Sequence, residues 1–220
     1  MSLSLLLDNA TRKFGNRIAL EDDTRTFSYK DFINRVDRLG QSLLGCGLMP
    51  GETIAVLMRN SIEIVEFDSM SARFGFVRTM LNARGSKEDH EYCLNFASAK
   101  ALIFEIDMLQ HVDEMRNQLE HVNTFICVGG KSAWSLNYED LLDKAQGNPS
   151  NWTPVESDIH SIYFTSGTTG RPKGVLLTHG NWIHVVSTHL MDINPRISQD
   201  DIGLLCAPIS HATGSLILPH

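Results

Sequence analysis

The chain has 220 residues, of which 42% are apolar and 20% charged, with 16 glycines and 7 prolines. This is a globular composition, long enough for one sizeable core or one core and part of a second, and it excludes a disordered chain. Nineteen basic against 26 acidic residues give a formal net charge of -7, and the basic residues do not gather into the stripe that a nucleic-acid surface needs.

Met1-Ser2-Leu3-Ser4-Leu5-Leu6-Leu7-Asp8 has no positive leader, and its apolar run is too short for a signal peptide. No stretch approaches the roughly 18 apolar residues of a membrane span. The expectation is a soluble cytoplasmic protein without a transmembrane segment. Cys46, Cys93, Cys127 and Cys206 are far apart in sequence, so they form no metal or redox pair and read as free thiols of a reducing compartment.

Ile18-Ala-Leu20 and Thr26-Phe-Ser28 flank a polar turn and predict a small hairpin. Ser28 and Asp31 then have the spacing of a helix start, and Phe32, Val36, Leu39 and Leu43 mark one helical face that stops at Gly45 and Gly47. Pro50-Gly51 leads into a buried-strand pattern, Thr53-Ile-Ala-Val-Leu-Met58. Asn60 or Ser61 is expected to cap a second helix reaching about Phe74, followed by a strand at Phe76-Val-Arg-Thr-Met80. Ser86 and Asp89 open a helix to about Ala97. Ala101-Leu-Ile-Phe104 and Phe125-Ile-Cys-Val128 are further strands with a helical segment between them, and Tyr138 to Lys144 is a short helix. Gly147-Asn-Pro-Ser-Asn151 reads as a loop or linker. This alternation predicts an α/β fold with a mostly parallel sheet, whose ligands sit at the carboxyl ends of the strands.

Ser161-Ile-Tyr-Phe-Thr165 is the next strand pattern, followed by Ser166-Gly-Thr-Thr-Gly-Arg-Pro-Lys-Gly174, an apolar run at Val175-Leu-Leu177 and a helical stretch from Asn181 to His189. The loop suits a polyphosphate. Gly167, Gly170 and Gly174 are expected to take positive φ and let backbone N–H groups form an anion nest. Thr165, Ser166, Thr168 and Thr169 offer hydroxyl donors, and Lys173 and Arg171 offer charge. The order is not that of a P-loop NTPase: counted from Gly167, the second glycine position holds Pro172, and Lys173 is followed by Gly174. His179, His184 and His189 are spaced by five, which turns a helix by about 140° per step, so they share no face and predict no metal site.

Tyr163-Phe-Thr-Ser-Gly-Thr-Thr-Gly-Arg-Pro-Lys-Gly174 resembles the signature loop of the adenylate-forming (AMP-binding) superfamily, which includes acyl-CoA synthetases, firefly-type luciferases and peptide-synthetase adenylation domains. Phe27-Ser-Tyr-Lys-Asp31, Gly47-Leu-Met-Pro-Gly-Glu-Thr-Ile-Ala-Val56 (with Glu52 for the usual Asp) and Leu81-Asn-Ala-Arg84 (with Ala83 for the usual Pro) resemble earlier family segments in the right order. Ala207-Pro-Ile-Ser-His-Ala-Thr-Gly214 resembles the next one, with His211 at its histidine.

The resemblance implies the N-terminal portion, residues 1–220, of the large domain of an acyl-CoA synthetase. The chain stops before the family's adenine- and magnesium-binding motif, its ribose-binding aspartate and its small C-terminal domain. The reaction implied is activation of a small carboxylic acid by Mg-ATP to an acyl-adenylate, with release of pyrophosphate, then thioester formation with CoA. Thr165, Ser166, Gly167, Thr168, Thr169, Gly170 and Lys173 would hold the ATP phosphates, and His211 would border the acyl pocket; no residue is assigned as catalytic in this stretch. The cofactors and co-substrates implied are ATP, Mg²⁺ and CoA. The isolated chain is expected to be inactive and, with uncovered sheet edges and apolar surface, to self-associate. Three alternatives stay open: a stand-alone nucleotide-binding or regulatory module, an adenylation domain that loads a carrier protein, and a luciferase-like oxygenase.

Overall fold

The computed structural model describes residues 2–165 and 170–220. Among these, helices and strands alternate along the chain, as the sequence pattern predicts. Helix α1 (Leu3–Phe14) precedes a hairpin of β1 (Ile18–Glu21) and β2 (Thr26–Ser28), and then α2 (Tyr29–Gly45), β3 (Thr53–Leu57), α3 (Ile62–Phe74), β4 (Val77–Met80), α4 (Lys87–Phe96) and β5 (Ala101–Glu105). A helical stretch containing α5 (Leu109–Met115) leads to β6 (Thr124–Val128), β7 (Leu136–Asn137), α6 (Tyr138–Lys144), β8 (Ile159–Thr165), β9 (Lys173–Thr178) and α7 (His179–Thr188).

The main sheet has the order β7-β6-β5-β3-β4-β8-β9, parallel throughout except for the antiparallel pair β8 and β9. Strand β3 is central and buried along its length, and its residues alternate between the two faces of the sheet. Ile54 and Val56 join a cluster with Val36, Leu39 and Leu43 of α2 and Phe67 and Met70 of α3. Ala55 and Leu57 join the opposite cluster, with Leu94 of α4 and Val112 and Met115 of α5. Helices on both faces of the sheet are thus the physical reason that its strands read as unbroken apolar runs.

Helix α3 is buried along its whole length, charges included. Each of those charges has a partner on another element. Glu63 meets Arg25 at 2.5 Å, Glu66 meets Arg35 and accepts from the Tyr138 hydroxyl at 2.7 Å, Arg73 meets Asp37 at 2.8 Å, and Asp68 meets Arg78 at 2.6 Å. Close helix crossing adds to this: a Cβ on Gly40 of α2 would fall 2.4 Å from the Phe74 ring, so only glycine lets α2 and α3 approach this far.

Three expectations need correction. The segment read only as too short for a signal peptide is helix α1, capped by Ser2, with Leu3 fully buried and Leu6 and Leu7 packed beside Ala72 and Trp182. Neither Asn60 nor Ser61 caps α3 through its side chain: Ser61 holds the N-cap position without a capping bond, and Asn60 reaches across the molecule instead. Helix α7 begins two residues before the expected Asn181, because Thr178 and Asn181 form a reciprocal capping box, and a π-turn at His189–Ile193 extends it.

Candidate functional site

Strands β3, β4 and β8 run parallel, so the segments that follow them emerge at one edge of the sheet. Asn60 follows β3, Asn82 to Gly85 follow β4, and the glycine-rich loop joins β8 to β9. One strand separates the first of these from the last, a lateral distance of about 10 Å.

The base of the glycine-rich loop is pinned by the antiparallel ladder. Thr165 pairs with Lys173 and Phe164 with Gly174, and the Thr165 hydroxyl donates to the Lys173 carbonyl at 3.5 Å. Thr165, Gly170 and Lys173 are exposed. Ser166, Gly167, Thr168 and Thr169 lie outside the described residues. Gly170 has the expected positive φ, +122°, and open space where a side chain would stand. Gly174 differs from expectation: it is an ordinary strand residue, and its bare Cα lets Ile162, Phe164 and Phe96 approach to 3.2–3.5 Å of a would-be Cβ. The Arg171 guanidinium lies over the Tyr92 ring at 5.1 Å, which ties the loop's distal side to α4.

The loop after β4 is held by two histidines. The Asn82 carbonyl can only accept, so His90 Nε2 carries the proton and donates to it at 2.8 Å. His90 Nδ1 then accepts from His111 Nε2 at 2.9 Å. Burial holds the His90 pKa below its ordinary value, which keeps the neutral form this arrangement requires.

The segment carrying His211 packs over the end of β3. Ile209 is buried in the main core, and Gly214 fits only because it lacks a Cβ, which would meet the Ile209 carbonyl oxygen at 2.3 Å. His211 itself is exposed, with its backbone N–H donating to the Pro208 carbonyl at 3.1 Å. The structure therefore brings Thr165, Gly170, Lys173 and His211 to a common edge. Asn60, Tyr92 and the His90–His111 clasp were missed by sequence reasoning; their partners lie between 21 and 149 residues away, and no local pattern signals them.

Beneath β8, on the face covered by α3 and α7, lies a buried polar cluster. Arg78 of β4 donates to the Tyr163 hydroxyl at 3.2 Å and to His160 Nδ1 at 3.4 Å, and its guanidinium lies 4.8 Å from the Trp182 ring centroid. Asp68 Oδ1 is 2.6 Å from Arg78 Nε but off the line of its N–H, so charge contact holds this pair more than an aligned hydrogen bond does. His179 packs edge-on against His160, and among the described residues neither of its nitrogens has a partner. Burial brings the His179 pKa down to about 4, opposed by the nearby Asp158 carboxylate. Burial, with the charge of Arg78, lowers that of His160 further. Among the described residues no three His, Cys, Asp or Glu side chains converge as a metal cluster, and no helix is long and apolar enough to cross a membrane.

The family described as AMP-binding enzyme matches residues 7–219. The chain belongs to this family. A 3-methylmercaptopropionyl-CoA ligase of Ruegeria lacuscaerulensis is 30% identical over 95% of the chain and 41% of its own length. A 4-hydroxybenzoate–CoA/benzoate–CoA ligase of Rhodopseudomonas palustris is 28% identical over 79% of the chain and 32% of its own length. The fold of the chain is that of a fatty acyl CoA synthetase of Mycobacterium tuberculosis, with a TM-score of 0.87 at 21% identity over 99% of the chain and 42% of that structure. The chain thus spans about two fifths of the length of the first of these relatives. Both of these relatives are CoA ligases.

Proposed function

We propose that residues 1–220 form the N-terminal part of a carboxylic acid–CoA ligase, and that the loop between β8 and β9 holds the β- and γ-phosphates of ATP. The observation that carries this reading is the position of that loop: both ends are pinned at Thr165 and Lys173, on the sheet edge where α/β folds take ligands. Exposed Lys173 offsets charge on the departing pyrophosphate. The hydroxyls of Ser166, Thr168 and Thr169, and that of Thr165 once it turns from the Lys173 carbonyl, donate to its oxygens with the backbone N–H groups at Gly167 and Gly170. An oxygen of the substrate carboxylate attacks the α-phosphorus, the bond to the bridging oxygen of the β-phosphate breaks, and pyrophosphate leaves. The thiol sulfur of CoA then attacks the acyl carbon, the bond from that carbon to the phosphate oxygen breaks, AMP leaves, and the thiol proton passes to solvent. The contribution of this chain is positioning and charge stabilisation.

His211 borders the pocket for the acid, and the contacts to adenine, ribose and magnesium come from the rest of the parent protein. That remainder also covers the exposed apolar side chains Val175, Leu176, Met191, Ile193, Ile202 and Leu204. The parent protein is expected to catalyse ATP–pyrophosphate exchange only when a carboxylic acid is supplied, tested across short, long and aromatic acids. Exchange that follows one class of acid supports the reading. Folded protein that binds Mg-ATP but shows no exchange with any acid contradicts it and favours a nucleotide-binding module.

A further inference from the structure

Asn60 is solvent-exposed, yet its side chain makes three long-range hydrogen bonds to one segment. Nδ2 donates to the Leu205 carbonyl at 3.0 Å and to the Ala207 carbonyl at 2.8 Å, and Oδ1 accepts from the Ile209 N–H at 2.9 Å. An amide side chain has two donor hydrogens and one acceptor oxygen with two lone pairs, so only one lone pair is left unused. The chain bends at Ala207, which curls residues 205–209 around the Asn60 side chain so that one amide reaches three of their backbone groups. Among the described residues the backbone groups of Leu205, Ala207 and Ile209 make no backbone–backbone hydrogen bond. The segment is therefore fixed at two kinds of point: the Asn60 amide, and Ile209, which is buried in the main core. His211 follows two residues later, directed by the tight turn at Pro208–Gly214.

We propose that Asn60 is a positioning residue for the carboxylic-acid pocket: its amide sets the height and register of residues 205–209 on the end of β3, and hence the placement of His211. The inference rests on the reading that the His211 segment borders that pocket. Asn60 follows β3, whereas the glycine-rich loop leaves β8, two strands along the sheet. Asn60 therefore acts on the acid rather than on the nucleotide. The chemistry at position 60 is specific. Aspartate retains the acceptor for Ile209 but sets a carboxylate against two carbonyl oxygens. Alanine removes all three bonds while leaving the buried Ile209 anchor.

The test is the ATP–pyrophosphate exchange of the parent protein carrying Asn60→Ala or Asn60→Asp, with KM measured separately for the acid and for Mg-ATP, and with acids of increasing size compared. Loss of these bonds is expected to raise KM for the acid by about tenfold and to flatten the preference among acids, with KM for Mg-ATP changed by less than about twofold. A thermal melt of each variant accompanies the kinetics, and the aspartate variant, which keeps one bond, carries the test if the alanine variant does not fold. Equal rises in both KM values, or an unchanged acid KM, overturn the role of Asn60 alone. Absence of acid-dependent exchange in the unmodified protein overturns the underlying reading, and this proposal with it.

Discussion

Replacing Asp68 by alanine is expected to destabilise the fold by about 3–5 kcal/mol, the usual cost of leaving one member of a buried ion pair uncompensated. Arg78 is 1% exposed and Asp68 fully buried, and among the described residues Asp68 is the only carboxylate in contact with the Arg78 guanidinium. Its other neighbours, the Tyr163 hydroxyl, His160 Nδ1 and Met80 Sδ, are neutral acceptors at 3.2–3.4 Å. Trp182 and Tyr163 add their ring faces. None of these replaces a countercharge in a buried site. Removing both charges is a different experiment: Asp68→Leu with Arg78→Met leaves no isolated ion and is expected to recover most of the loss. Equilibrium urea unfolding of the two variants against the unmodified protein measures both. A loss below about 1 kcal/mol for the single variant would contradict the account of this pair.

Acid should weaken the same region. The folded-state pKa of His179 is held at about 4, below its ordinary value of 6.5, chiefly by burial. A histidine depressed in this way contributes its full share of stability above pH 6.5. That share is lost as pH falls from 6.5 to about 4, because the unfolded chain takes up a proton the folded chain refuses. The loss is up to about 3 kcal/mol over this window. His160 acts in the same sense, while Asp68, Glu66 and Asp37, whose carboxyls burial pushes up, act in the opposite sense over the acid part of the range. The informative quantity is therefore a difference. His179→Leu fills the same buried space without titrating, and its stability-against-pH curve is expected to fall less steeply than the native curve between pH 7 and pH 4. Parallel curves would show that His179 does not carry the effect.

Most of the fold was legible because the sheet is parallel and covered on both faces. Thr53 to Met58 and Ala101 to Phe104 are unbroken apolar runs between turn residues, and Ser28 and Ser86 cap the helices they were expected to cap. Helix α1 was overlooked although Leu3, Leu6, Ala10 and Phe14 carry the helical spacing, because the segment was weighed only as a leader. The two-residue strand β7 is too short to show a period. At the site, the glycine-rich loop stood out because its glycines, hydroxyls and lysine are contiguous in sequence. The long-range contacts around it did not. Asn60, Tyr92, His90 and Arg78 act through partners on other elements, and Arg78 in sequence is an ordinary strand residue whose burial only the packed α3 and α7 reveal.

The central claim is that the loop between β8 and β9 receives the phosphates of ATP. Amide hydrogen exchange of the parent protein, with and without Mg-ATP, tests it without requiring turnover. The account predicts that Mg-ATP slows exchange in peptides spanning residues 163–175, while peptides of β6 and β7 at the far side of the sheet stay unchanged. Saturating Mg-ATP that leaves residues 163–175 exchanging as before, while protecting another part of this chain, would contradict it.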